Sequence, residues 1–95
     1  MSFPLLVLFL AGADLGERDL QAAVQASLRG DLDEAATLYQ SLVDRGHGSA
    51  DLFYNLGTTE LERGRTAAGV AALASALRRD PGHQGAQGNL QGSQP

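Results

Sequence analysis

The sequence matches itself at a step of 34 residues. Two dipeptides recur at this step: Arg29-Gly30 at Arg63-Gly64, and Asn55-Leu56 at Asn89-Leu90. A repeat of this length folds as one supersecondary unit, which buries its apolar face against neighbouring units. The chain is therefore constrained to a stack of similar units, each contacting the next along the sequence.

The second unit, Ala50 to Pro81, reads as two antiparallel helices. Ser49 is a good N-cap for the first helix, and Gly64 stands where a helix end favours a left-handed residue. Thr66 is expected to cap the second helix, and Asp80-Pro81 to end it, because proline disfavours a helical residue before it. The apolar stripe of this second helix is expected at Val70, Leu73, Ala74 and Leu77.

The first unit carries the same pattern with a weaker first helix. We expect that helix over Glu17 to Arg29, with Asp14 near its N-cap and Gly30 as its stop. Asp31 should cap the next helix, about Leu32 to Arg45. The expected stripe of the first helix is narrow: Leu20, Ala23, Val24 and Leu28.

Several spaced segments then resemble the tetratricopeptide repeat (TPR) family: FYNLG at 53–57, GDLDEA at 30–35, Tyr39, and LRRDP at 77–81. The resemblance implies an all-α TPR helix-turn-helix solenoid of two antiparallel helix pairs plus a short C-terminal capping helix. The expected divisions are repeats at 16–49 and 50–83, a partial third repeat at 84–92 within a domain of 14–92, and a tail at 93–95.

Residues 1–13 differ from the rest of the chain. An unbroken apolar run from Leu5 to Leu10 is followed by Ala11-Gly12-Ala13, which resembles a secretory signal with cleavage after Ala13. No Lys or Arg precedes the run, and it is shorter than the roughly 20 apolar residues that span a bilayer. The alternative is an N-terminal strip that packs onto the first helix pair as a cap.

The TPR resemblance implies that the first helix of each pair lines a concave groove, which binds a peptide or helix of a partner protein. Asn55 can donate to and accept from a ligand backbone at once, and Tyr54 is of a type enriched in binding hot spots. Mapped onto this sequence, the groove residues are Leu20, Val24, Asp51, Tyr54, Asn55, Thr58, Leu61 and Glu62, with Glu17, Gln21, Ser27 and Leu28 beside them.

Composition excludes several other functions. A formal charge of −4 argues against nucleic acid, and the absence of cysteine excludes thiolate metal sites. His47 and His83 have no metal-ligand spacing around them, and no serine has a positioned base beside it. We therefore expect no catalytic residue, no metal and no cofactor. The acidic rim of the groove favours a partner with apolar anchors and basic flanks.

A finer resemblance concerns ADLFYNLG at 50–57 and ALRRDPGHQGAQGNL at 76–90, together with the apolar leader. This combination looks like the TPR segment of bacterial aerotolerance (Bat-type) proteins. It implies location at the bacterial cell envelope or in the periplasm, with membrane proximity through residues 1–13. A cytoplasmic location, a self-associating structural module, and a fragment of a larger membrane-associated envelope protein are the alternatives.

Overall fold

The structure is a computed structural model that describes the backbone of residues 3–93 and the side chains of residues 16–93. The described part is all-helical, as expected, and each helix packs against the next along the chain. Turns of three to five residues join the helices. The helices are α1 (Phe3–Leu28), α2 (Leu32–Asp44), α3 (Ala50–Glu62), α4 (Thr66–Arg79) and α5 (Gln84–Gly92).

The start of the first helix was predicted wrongly. Helix α1 begins at Phe3 rather than near Glu17, so Asp14 lies inside it and is not a cap. No proline interrupts residues 5–17, and the two internal glycines, Gly12 and Gly16, each cost a helix only about 1 kcal/mol. The side chains of the leader and the tail residues 94–95 lie outside the described residues. The interpretation of residues 1–13 as a secretory signal and the alternative of an N-terminal cap therefore both stay predictions.

Most of the other helix ends agree with the sequence patterns. The Ser49 hydroxyl accepts the Leu52 N–H at 3.1 Å, and α4 ends just before Asp80. The Asp31 carboxylate faces the Glu34 N–H at a longer 3.4 Å. Thr66 is not the cap of α4, because the helix already begins at that residue and Arg65 holds the cap position without a side-chain hydrogen bond.

The 34-residue period is visible in the turns after α1 and α3. Gly30 and Gly64 have φ angles of 80° and 81°, a left-handed conformation that side chains disfavour. The hydrogen bonds around them also correspond at this step. In each turn the glycine N–H donates to the carbonyl three residues back, and the next N–H donates to the carbonyl five residues back. The two helix pairs therefore share one turn geometry, and the same geometry also ends α2 at Gly46, where φ is 87°.

Close contact between α3 and α4 shapes the centre of the molecule. A Cβ built on Gly57 would lie 2.8 Å from Leu73 Cγ and 3.0 Å from the Gly69 carbonyl oxygen. A Cβ on Gly69 would lie 3.0 Å from the Gly57 carbonyl oxygen, so the two backbones meet at this point. Leu73 is fully buried beside them. The two glycines thus allow α3 and α4 to approach closely.

Small residues form much more of the core than the apolar stripes predicted. In α4 the buried residues are Gly69, Ala72, Leu73 and Ala76, whereas Val70, Ala74 and Leu77 are only half-buried. In the part of α1 whose side chains are described, residues 16–28, the buried ones are Ala23 and Ala26. Close backbone packing turns the alanines and glycines inward, because a larger side chain would hold the helices apart.

We predict that Gly57→Ala destabilises the protein relative to Gly88→Ala. Both changes remove a mid-helix glycine and gain similar helix propensity, but a Cβ at Gly88 meets nothing within 4 Å. The clash at Gly57 should therefore separate the two variants by about 1–3 kcal/mol in the free energy of unfolding. Urea denaturation, followed by circular dichroism, measures this difference in unfolding free energy. Equal midpoints would mean that the α3–α4 contact can relax.

Candidate functional site

The α1 part of the predicted binding face lies open. Leu20 and Leu28 are 39% and 75% exposed, and Val24 is half-buried beside them. Glu17 and Gln21 are exposed on the same helix. This face of α1 therefore presents apolar side chains with polar and acidic neighbours.

The α3 part of the predicted face is different, because α5 contacts three of its residues. Asp51 Oδ1 lies 2.8 Å from His83 Nε2, just before α5. The Tyr54 ring lies 4.9 Å from the His83 ring between centroids, and against Gly85. Thr58 Oγ1 accepts a hydrogen bond of 2.8 Å from Asn89 Nδ2. Asp51, Tyr54 and Thr58 thus already have partners within the chain.

His83 organises this contact. Its Nδ1 accepts the Ala86 N–H at 3.1 Å and so caps α5. Because Nδ1 is an acceptor, the proton of the neutral ring is assigned to Nε2, which then donates to Asp51. The imidazole is 15% exposed. His83 is therefore a structural histidine that ties the start of α5 to the start of α3, and the sequence analysis missed this role.

The other predicted α3 residues, Asn55, Leu61 and Glu62, differ in their exposure and their contacts. Asn55 is half-buried, and its side-chain amide makes no hydrogen bond within residues 16–93, where side chains are described. Leu61 packs against the backbone of Gly69, so part of it belongs to the α3–α4 interface. Glu62 is exposed. A free amide and an exposed carboxylate are thus available for a ligand on this helix.

Two concavities border the predicted face. One, of about 240 Å³, brings Glu17 and Leu20 of α1 together with Leu52 of α3 and the turn before it. The other, of about 420 Å³, lies where α3 faces the second half of α5, and includes Thr58, Leu61 and Glu62. Ser27 Oγ, near the end of α1, is buried and has no hydrogen-bond partner. Leu20 therefore lies at the first concavity and Thr58, Leu61 and Glu62 at the second. The other predicted residues line neither: Val24, Asp51, Tyr54 and Asn55.

A larger groove, of about 620 Å³, lies between α2, α3 and the start of α4. No sequence pattern predicted this groove. Its lining includes Arg45, Arg63 and Arg65, but each of these cations already has an acidic partner. Since the three guanidinium groups are paired with the three carboxylates of Asp19, Asp33 and Glu60, the groove is not an evident anion site.

Glu60 is the buried charge of this groove, with a side chain 9% exposed. Its carboxylate accepts a 2.5 Å hydrogen bond from Arg63 and lies 3.7 Å from Arg65. Arg63 also bonds Asp33 of α2 at 3.1 Å. The hydrogen bond that Arg63 donates to Glu60, together with the charges of Glu60 and Asp33, raises the pKa of Arg63 despite some desolvation, so the cation persists at any ordinary pH. The spacing of Glu60 and Arg63, three residues apart on one helix, was the available sequence signal.

Chemical sites of other kinds are not evident in the described part of the chain. Among those residues no group of three or more His, Asp or Glu side chains could hold a metal ion. No helix among them combines the length and apolar content needed to cross a bilayer. Comparison of the chain with protein-family models, curated proteins and solved structures gives no match.

We predict that Arg63→Ala lowers stability more than Arg65→Ala. The first change removes hydrogen bonds to Glu60 and Asp33 and weakens the pairing of a buried carboxylate, whereas the second removes one long contact. The urea midpoints of the two variants at neutral pH show which of them is less stable. The reverse order would show that Arg65 is the main counter-ion of Glu60.

Proposed function

We propose that the protein is a TPR-type interaction module without enzymatic activity, which binds a peptide or helix of a partner protein along α1 and α3. The sequence motifs support this reading, and so do the two helix pairs with corresponding turns at Gly30 and Gly64. In this arrangement α1–α2 and α3–α4 are successive repeats, and α5 is the C-terminal capping helix.

The observation that carries the proposal is the position of the exposed leucines. Among the described side chains, the large hydrophobic residues that stay exposed are Leu20 and Leu28. Both belong to the face that the sequence assigned to partner binding. A marginally stable module gains nothing from leucines in water, whereas a partner that covers them gains roughly 25 cal/mol per Å² of buried apolar area.

Charge and hydrogen-bonding capacity define the proposed partner more closely. Glu17, Asp51 and Glu62 are exposed carboxylates on this face. The unpaired amide of Asn55 can bond a ligand backbone in both directions. We therefore expect a segment with apolar anchors and Lys or Arg flanks. Location at the cell envelope remains part of the proposal, with the cytoplasm as the alternative.

Panning of a phage-displayed random dodecapeptide library against the full chain tests the proposal. Enriched peptides should carry apolar residues flanked by Lys or Arg. Their Kd should weaken about tenfold or more in the variant Leu20→Glu/Asn55→Ala, because both the apolar contact and the amide are lost. Fluorescence anisotropy with labelled peptides measures the change.

The matched control is Gln40→Ala/Ser41→Ala, which alters two exposed residues on α2. It should keep the wild-type Kd, and circular dichroism should show all three proteins equally helical. Peptides that bind the control and the face variant equally would place the site elsewhere. Sedimentation velocity of the unliganded protein addresses self-association, since dimers lost in the Leu20→Glu/Asn55→Ala variant would mean that a second copy covers this face.

A further inference from the structure

The segment that begins at His83 and continues into helix α5 contacts part of the α3 half of the proposed binding face, whereas Asn55 and Glu62 stay open. Its three contacts there are made to Asp51, Tyr54 and Thr58, all assigned to partner binding from the sequence. They extend along two turns of α3, and each involves a different part of the C-terminal segment: the cap residue, the first turn and the second turn. A ligand lying along α3 would meet these same three side chains.

The sequence of α5 makes it a weak helix. It reads QGAQGNLQG, with three glycines in nine residues and no charged residue. Each internal glycine disfavours the helix relative to alanine. Ala86 is buried, but Leu90, its other apolar residue, is only half-buried. An isolated helix of this length does not persist in water, so α5 depends on its contacts with α3 and α4.

The contacts of α5 with α3 are also of a kind that a ligand can replace. Two are polar: the Asp51 carboxylate, 87% exposed, to a histidine, and a threonine hydroxyl to an amide. Hydrogen bonds of this type exchange with water or with another donor at little net change in free energy. The third is the Tyr54 ring against Gly85, which requires a small residue at the point of contact.

We propose that α5 is an internal competitor for the partner-binding face, and that a partner segment engages α3 fully only when α5 has moved away. This inference rests on the proposed function and adds its regulation. The apparent affinity for a partner then falls in proportion to the fraction of molecules with α5 displaced. The arrangement also describes a suitable ligand: a short helix with a small residue against Tyr54 and an amide placed to bond Thr58.

Two glycine-to-alanine changes within α5 form a matched pair. A Cβ at Gly88 meets nothing within 4 Å, so Gly88→Ala strengthens the helix without a clash. A Cβ at Gly85 would lie 2.8 Å from Tyr54 Cε1 and 3.3 Å from His83 Cε1, so Gly85→Ala forces the ring or the helix to shift. His83→Ala is the stronger opening variant, since it removes the cap, the bond to Asp51 and the ring contact together.

The displacement of α5 from α3 is measured first, with no ligand present. Hydrogen exchange of the segment 84–93 should be about fivefold slower in Gly88→Ala than in the wild type, and faster in His83→Ala and Gly85→Ala. Nitration by tetranitromethane should modify Tyr54 faster in the two opened variants. Tyr39, 3% exposed, serves as the internal reference. Equal exchange and equal Tyr54 nitration in all four proteins would overturn the proposal.

Binding is measured second, with the tightest labelled dodecapeptide from the panning experiment. Its Kd should weaken about fivefold in Gly88→Ala and tighten in His83→Ala and Gly85→Ala, in the same order as exchange. If exchange differs but the peptide Kd does not, α5 is no competitor, and the proposed function stands without it. If panning yields no peptide that depends on Leu20 and Asn55, the proposed function fails and this inference fails with it.

Discussion

The arrangement of the molecule depends on how closely the backbones of α3 and α4 approach each other. Contact between the Gly57 and Gly69 segments brings the two helix axes together and buries Leu73 completely. That distance determines which face of α4 points inward, and therefore which face of α3 is left for α5 and for a ligand. A side chain at either glycine would separate the helices and shift both surfaces. The face proposed for binding therefore depends on the neighbouring α3–α4 contact, to which Leu61 also belongs.

A second constraint joins one helix pair to the other. Arg63, at the end of α3, bonds both Glu60 of its own helix and Asp33 of α2. The guanidinium is planar with donors on several sides, so it can hold two carboxylates in fixed directions. Burial of Glu60 raises the penalty for losing this cation. The orientation of α2 against α3 therefore rests on a charged contact as well as on apolar packing, unlike the α3–α4 interface.

The sequence could predict whatever depends on local patterns. The cap at Ser49 and the left-handed glycines at 30 and 64 are each encoded in a few neighbouring residues, and the 34-residue step is read by comparing one segment with the next. It could not predict where α1 starts, because residues 5–17 contain no proline that would mark a helix boundary. Nor could it show that α5 lies on Tyr54, since this contact depends on how a four-residue turn directs the chain. Asn89 repeats Asn55 at the 34-residue step, yet its bond to Thr58 follows only from the packing.

The small side chains of the core also determine how the protein responds to temperature. Within residues 16–93, seven of the twelve buried hydrophobic residues are alanines, so each helix contact there removes little apolar surface from water. They are Ala23, Ala26, Ala35, Ala36, Ala72, Ala76 and Ala86. The heat capacity of unfolding increases with the apolar area exposed, so it is small for a core of this kind. A small heat-capacity change gives a shallow stability curve. The module should therefore lose its structure gradually over a broad range of warming and cooling, with modest stability throughout.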